Sequence, residues 1–373
     1  MKLHFLIITH AEHYMDSDGE LYAYAPYVTE MNLWLKYVDQ VTIVAPLAND
    51  LDANISSTYE HPNINFIEVE AFSLTSLKHA LKAILVLPSI KWKVYKAMKT
   101  ADHIHLRCPG NMGLIGCFIQ IFSPKKKKTA KYAGNWDYNS KQPWSYRLQQ
   151  YILNNTFLTK NMTALVYGEW DGLSKNTKPF YTASYFNDEI EPLFVRNYTK
   201  TLHFCFVGSL TENKGILEGL QMVSRLKSSG KDVILHVYGE GEKRIALEEN
   251  IKAINAEKWA FVYGNQPRAQ IKKALKYSHF LILPSRSEGW PKAVAEAMFW
   301  GCIPLASEIS CVPWMLGHGK RGLLLKRPLE ANHDRIFEFI SNSKRLVEIS
   351  QSAAEWSQQY TLDKFEKEVS YLI

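Results

Sequence analysis

Short apolar runs alternate with amphipathic stretches along the whole of this chain. Runs of about five apolar residues suit strands buried on both faces. Amphipathic stretches between them suit covering helices, and the alternation is the pattern of a doubly wound parallel α/β sheet. In the first half the expected strands are 3–9, 40–45, 64–68, 103–107, 128–132 and 164–167. In the second half they are 202–207, 233–238, 260–263, 280–284 and 303–306, with helices over 217–228, 268–277 and 292–299.

The chain has 373 residues, enough for two domains of roughly 100–200 residues each. The polar, proline-broken segment Asn187-Asp188-Glu189-Ile190-Glu191-Pro192 marks the expected boundary, after which a strand–glycine–helix unit opens at Phe204. This predicts a first domain over 1–192 and a second over 193–355. An amphipathic helix is expected over 356–373.

Composition excludes several classes. Hydrophobic residues are 46% and charged residues 22%, near the globular average, so disorder and fibrous structure are set aside. The five cysteines are scattered without a CxxC, which argues against a disulfide framework or a zinc site and fits a reducing compartment. The apolar run Phe5–Ile8 is too short for a signal core. No stretch reaches the ~20 apolar residues of a membrane span. The expectation is a cytoplasmic protein.

The net charge of +7 is concentrated. Lys78, Lys82, Lys91, Lys93, Lys96 and Lys99 lie in the segment 78–99 with Trp92 and Tyr95, and lysines fill 125–128. Such a surface suits an anionic membrane, on the inner face of the plasma membrane for a cytoplasmic protein, or it is a solvated helix face. No nucleic-acid module accompanies it.

The chemistry concentrates in the second half. Pro284-Ser285-Arg286-Ser287-Glu288-Gly289-Trp290-Pro291 ends a strand and enters a helix that carries Glu296. Proline suits a first helical turn, whose free N–H groups suit a phosphate. Glu288 and Glu296 can accept hydrogen bonds from sugar or ribose hydroxyls, or be a cap and a solvated helix residue. A second strand ends in Gly208-Ser209 and leads to Lys214-Gly215; Gly208 permits close backbone approach and Lys214 can pair with a diphosphate. Tyr238-Gly239-Glu240-Gly241 and Tyr263-Gly264-Asn265 end the next two strands.

Taken together, the E-x7-E pair Glu288/Glu296, followed by Gly301 and Pro304, resembles the donor signature of retaining glycosyltransferases of the GT-B fold, family 4 (group 1 glycosyl transferases), in the type common among bacterial surface-polysaccharide enzymes. The resemblance covers roughly residues 204–325. It implies two facing Rossmann-like domains with parallel sheets and a C-terminal helix crossing back to the first. It also implies a nucleoside-diphosphate sugar donor, UDP- or GDP-linked, and transfer to a glycan or lipid-linked acceptor without metal or other cofactor. Glu288 would approach the donor sugar, and Glu296 would bind the ribose. Lys214 would meet the diphosphate, with Gly208, Gly239, Gly289 and Trp290 around it and Gly264-Asn265 by the base. Ser209 stands where the family has an arginine, and Arg286 is the candidate replacement.

In the first half, His103, His105 and Arg107 alternate onto one strand face, with Arg107 nearest the carboxyl end. His105 is the candidate active-site histidine, His103 its rival, and a structural histidine the bland alternative. Arg107, Asn135 and Trp136 are candidate acceptor-side residues. The loop after the first strand, with Gly19, holds the position of the family's phosphate turn. Asp16-Ser17-Asp18 in that loop matches a metal triplet of another glycosyltransferase fold, a pattern common by chance. Two other readings stay open: a non-catalytic subunit that keeps the fold, favoured by Ser209, and a nucleotide-sugar epimerase on the same scaffold.

Overall fold

The computed structural model describes residues 2–50, 52–72 and 77–373, without the side chains of Asn54 and of residues 77–84. Lys78 and Lys82 of the basic segment therefore lie outside the described side chains. The chain divides into two compact units, Met1–Tyr181 with Phe365–Ile373, and Thr182–Lys364.

The first unit runs β1 (His4–Ile8), β2 (His13–Met15), β3 (Leu21–Tyr24), α1 (Ala25–Leu35), β4 (Gln40–Ala45), β5 (Ser56–Thr58) and β6 (Ile64–Glu68). It continues with α2 (Leu77–Thr100), β7 (His103–Cys108), α3 (Asn111–Ile119), β8 (Lys127–Tyr132), α4 (Trp144–Leu153), β9 (Met162–Tyr167) and β10 (Thr177–Phe180). Seven strands form one parallel sheet in the order β10-β9-β8-β7-β1-β4-β6. In register, Ile7 of β1 lies between Ile43 of β4 and His105 of β7. Phe5, Leu6, Ile7 and Ile8 are fully buried, as a strand covered on both faces must be.

The second unit runs β11 (Leu202–Val207), α5 (Ile216–Ser228), β12 (Val233–Tyr238), α6 (Arg244–Ala253), β13 (Ala260–Val262), α7 (Arg268–Tyr277), β14 (Phe280–Leu283) and α8 (Lys292–Phe299). It ends with β15 (Ile303–Ser307), α9 (Val312–Met315), β16 (Leu323–Leu325), α10 (His333–Ser341) and α11 (Ser343–Ser357), and α12 (Leu362–Ser370) begins in it and belongs to the first unit from Phe365 onward. Its six parallel strands are ordered β13-β12-β11-β14-β15-β16. Both units are thus Rossmann-like.

Each strand expected from the apolar runs has its counterpart. The short antiparallel sheet β2-β3-β5, the edge strand β10 and the three-residue β16 were not anticipated. Segments of three or four residues are too short to display a period. The first unit ends at Tyr181, upstream of the expected boundary at 192, because the linker is anchored in the second unit: Arg268 donates to the Ser184 carbonyl (2.6 Å), and Glu189 pairs with Arg268 (2.6 Å) and Lys272 (3.2 Å).

The expected helix over 356–373 is two helices, α11 and α12. Thr361 restarts the chain by accepting from Lys364 N–H at 3.3 Å, and Leu362 N–H donates to the Tyr185 carbonyl at 2.8 Å. Only the residues from Phe365 onward join the first unit. Phe365, fully buried, meets Phe180 at 5.3 Å between ring centroids, and Lys131 Nζ lies 4.9 Å from its ring. Glu366 pairs with Lys36 at 2.8 Å on the surface.

Truncating Phe365 removes a fully buried aromatic and uncovers Lys131. Phe365→Ala is expected to cost about 3–5 kcal/mol, read by urea unfolding; a loss below about 1 kcal/mol would show that the terminal helix does not hold the first unit.

Candidate functional site

The loops that leave the carboxyl ends of β11, β12, β13 and β14 are drawn together by backbone bonds. Gly208 N–H donates to Tyr238 O at 3.0 Å, Leu210 N–H to Glu240 O at 2.8 Å, and Gly239 N–H to Gly264 O at 2.8 Å. Gly239 has φ +139°, and a Cβ there would stand 1.9 Å from the Gly208 carbonyl. Only glycine fits. On the other side, Arg286 N–H donates to Asn213 O at 2.8 Å, and Asn213 Nδ2 to Ser287 O at 2.9 Å. Backbone thus fixes Lys214 beside Glu288.

Lys214 Nζ meets both carboxylate oxygens of Glu288, at 2.7 and 2.9 Å. The Glu288 side chain is 7% exposed and that of Lys214 25%. The two expected ligand-binding groups therefore satisfy one another. Arg286, the candidate replacement for the cation missing at Ser209, is held by Glu212 and by Glu218 (3.2 Å). It is committed to a surface ion-pair network and is not a free charge. Ser209 itself is exposed.

α8 begins at Lys292 after Pro291, with no side chain capping its N-terminus. Glu296 sits one turn inside it. Ser184 Oγ donates to Glu296 Oε1 at 2.5 Å. Burial pushes the Glu296 carboxyl above its ordinary value, against the pull of the Ser184 bond and of Lys292 and Arg268. Ser184 was missed at the sequence level; it lies in the linker, with no motif to flag it. Trp290, expected at the donor, is buried instead in an aromatic cluster, stacked on Trp356 (6.3 Å) and edge-on to Trp314 (6.1 Å). It supports the loop from behind. Gly289 is fixed through its carbonyl, which accepts from Cys311 Sγ at 3.0 Å. Gly264 packs beside the Glu240–Arg244 pair, and Asn265 follows it on the same loop.

The first unit corrects several expectations. His105 and His103 are fully buried and share one hydroxyl: Thr129 Oγ1 lies 2.8 Å from His105 Nδ1 and 2.9 Å from His103 Nε2. A hydroxyl can donate to one ring and accept from the other. Both rings pack on Phe5, and His105 also lies 4.5 Å from Trp34. Burial keeps both neutral, holding His103 down to about 3 and His105 well below its ordinary value. They are core histidines out of a substrate's reach. Arg107 is bonded to Glu30, whose other oxygen accepts from the buried Lys131 at 2.5 Å. Arg107 therefore balances a buried carboxylate.

Trp136 is fully buried, edge-on to Tyr132 at 4.9 Å. Asn135 is buried and accepts from Asp137 N–H at 2.9 Å. Neither presents itself to an acceptor. Gly19 (φ +82°) closes the β2–β3 hairpin, whose turn Asp16 braces by accepting from Asp18 N–H (3.0 Å) and Glu20 N–H (2.9 Å). Among the described residues no group of three or more His, Cys, Asp or Glu is placed to hold a metal ion. His10, exposed two residues after β1, opens the loop expected to hold the family's phosphate turn.

Residues 189–356 match the family model described as Glycosyl transferases group 1. That span contains Gly208 to Glu296, the converging loops described above. Over 129 residues the chain is 30% identical to the amylovoran biosynthesis glycosyltransferase AmsK of Erwinia amylovora, covering 33% of this chain and 32% of the relative. The chain spans about a third of the length of the curated relatives it matches. Among solved structures, sucrose-phosphate synthase of Thermosynechococcus elongatus superposes with a TM-score of 0.72 at 14% identity, over 100% of this chain and 98% of that one. Anabaena Alr3699/HepE in complex with UDP superposes with a TM-score of 0.70 at 12% identity, over 100% and 99%. The fold is GT-B, two Rossmann-like domains in one chain.

Because the folded chain favours the neutral Glu296, the unfolded chain is the more ionised between the ordinary glutamate value and the raised one. Stability contributed by this group is present at low pH and falls as pH rises through that window. Glu296→Gln removes the loss. Its Tm is expected to exceed that of the wild type at pH 8 and to converge with it below pH ~4.3; a variant Tm lower at pH 8 would contradict the placement of Glu296.

Proposed function

We propose that this protein is a retaining glycosyltransferase that moves a hexosyl group from a nucleoside-diphosphate sugar to an acceptor hydroxyl in the synthesis of a surface polysaccharide or glycolipid. The observation that carries the reading is the convergence of Lys214, Glu288 and the α8 N-terminus within the segment that matches group 1 glycosyl transferases. A cation and an uncapped helix start suit a diphosphate, and two carboxylates suit hydroxyls.

In this reading the bond between the anomeric carbon and the diphosphate oxygen breaks, and its electron pair leaves with the diphosphate. Lys214 and helix N–H groups offset the charge that develops, in place of a metal. The acceptor oxygen bonds to the anomeric carbon on the same face, and its proton is released with the products. Glu288, freed from Lys214 as the diphosphate arrives, accepts from a donor-sugar hydroxyl, and Glu296 accepts from the ribose. The likeness to a relative named for amylovoran biosynthesis supports a surface-polysaccharide product, and the UDP complex of a protein of the same fold supports a UDP-sugar donor.

The reading includes cytoplasmic work at an anionic membrane, where a lipid-linked acceptor would be met. In α2, Trp92 is 58% exposed and Leu85 81%, with Lys96 Nζ 5.1 Å from the Trp92 ring; Phe122, before the lysine run 125–128, is 72% exposed. No helix among the described residues is long and apolar enough to cross a membrane. Reversing Lys91, Lys96 and Lys99 to Glu is expected to abolish sedimentation with phosphatidylglycerol vesicles, since each cation contributes about 1 kcal/mol at such a surface. Unchanged sedimentation would remove the membrane from the account.

The donor reading is tested by thermal shift with UDP-, GDP-, ADP- and dTDP-sugars, with and without EDTA. A ligand of the native state raises Tm by mass action. One nucleotide class is expected to stabilise, insensitive to EDTA. Lys214→Ala is expected to weaken it by about 10- to 100-fold, the loss of one charge-assisted bond. No shift with any nucleotide would favour the non-catalytic subunit, the reading that Ser209 supports.

A further inference from the structure

The segment Ser184-Tyr185-Phe186-Asn187 carries no charge and no glycine, yet each of its residues is anchored. The Ser184 carbonyl accepts from Arg268 of α7 at 2.6 Å, and the Tyr185 carbonyl accepts from Leu362 N–H at 2.8 Å. Phe186 N–H donates to Glu189 at 3.1 Å, and Asn187 N–H donates to Asp363 at 2.6 Å. The Tyr185 ring packs on Phe299 (4.7 Å) and Trp300 (5.1 Å) at the end of α8. Backbone held in this way fixes where the Ser184 hydroxyl points, and it points at Glu296 Oε1, 2.5 Å away.

A carboxylate has two oxygens that accept hydrogen bonds. Among the described residues Glu296 Oε1 takes Ser184, and Oε2 has no partner and is not sealed from solvent, since the residue is only partly buried. The groups that face Glu296 are Lys292 from its own helix, Arg268 from α7 and Tyr185 beside Ser184. α11, which also packs on α8, brings an uncharged hydroxyl: Ser357 donates to the Ala295 carbonyl at 2.6 Å. Burial favours the neutral acid, and the Ser184 bond, then Lys292 and Arg268, favour the carboxylate. Arg268 is already engaged by Glu189 at 2.6 Å. Ser184 is thus the one direct hydrogen-bond partner of Glu296 among the described residues. It binds one oxygen and leaves the other to a ligand.

We propose that Ser184 is a positioning residue for Glu296: by holding Oε1 it aims Oε2 at the ribose hydroxyls of the ligand, and so sets the preference for a ribose over a sugar that lacks them. The assignment rests on the glycosyltransferase reading above, in which Glu296 accepts from the ribose. Residue 184 lies before the segment 189–356 that matches the family model, so the family match does not carry the role. A carboxylate oxygen takes a stronger, shorter bond from a hydroxyl than a neutral acid does. Without Ser184 the Glu296 side chain loses its fixed direction, and the neutral acid, the poorer acceptor, gains.

The test uses the full chain and isothermal titration with UDP, GDP and the 2′,3′-dideoxy analogue of each. The wild type is expected to prefer the ribose form at least about tenfold, the worth of one charge-assisted bond. Ser184→Ala is expected to lose most of that preference with its affinity for the dideoxy analogue unchanged, and Ser184→Thr, which keeps the hydroxyl, should restore it. In the wild type the preference fades as pH falls through the Glu296 value; in Ser184→Ala it should fade at higher pH. Ser184→Ala with the wild-type preference, or with both affinities lowered equally as a merely structural role requires, would overturn the assignment. A wild type that binds both forms alike also overturns it, and leaves nucleotide binding itself standing. If neither nucleotide binds, the glycosyltransferase reading fails, and the ¹³C shift of the Glu296 carboxyl then decides: a titration midpoint higher in Ser184→Ala than in the wild type keeps Ser184 as the group that holds this carboxylate, and an unchanged midpoint overturns it.

Discussion

The pair between Lys214 and Glu288 joins the loops that leave β11 and β14 in the second unit. It is more than half-buried, so either member alone would leave a charge without its partner, a state that costs several kcal/mol in comparable sites. The bonds of Asn213, its carbonyl accepting from Arg286 N–H and its side-chain amide donating to the Ser287 carbonyl, bring the pair together. The Gly208–Gly239 approach then seats the neighbouring loops against it. In the proposed reading, a ligand with a diphosphate and hydroxyls exchanges this internal pair for two external ones.

A different balance operates in the first unit. Glu30 takes up Arg107 and Lys131, and Lys131 is enclosed by the rings of Tyr167, Phe180 and Phe365. One carboxylate against two cations leaves a positive centre under the carboxyl edge of the sheet. Burial, with Arg107 of that centre adding to it, holds the imidazole of His10 below its ordinary value. The terminal segment after Lys364 completes this core, so the last residues of the chain are structural for its first domain.

Much of the fold was legible because buried parallel strands write themselves as short apolar runs. The candidate loops of the second unit were legible because glycine, proline and charge recur at its strand ends. The burial of the first unit's candidate residues was not. Alternation correctly put His103, His105 and Arg107 on one face, but period alone does not say that this face is covered by α1, with Trp34 against His105. Asn135 and Trp136 follow a strand end and still turn inward, since Asp137 N–H and the Tyr132 ring hold them there. Asp16 read as half of a metal triplet and is a turn brace. Ser184 and Glu296 are 112 residues apart, and only the folded chain reveals their bond.

The most direct test is a crystal structure of the chain with the nucleotide sugar identified by thermal shift. The account predicts that Lys214 Nζ leaves Glu288 for a diphosphate oxygen, within the 2.7–3.2 Å usual for such bonds (roughly), and that Glu288 and Glu296 accept from sugar and ribose hydroxyls. A nucleotide bound elsewhere, with the Lys214–Glu288 pair intact, would contradict it.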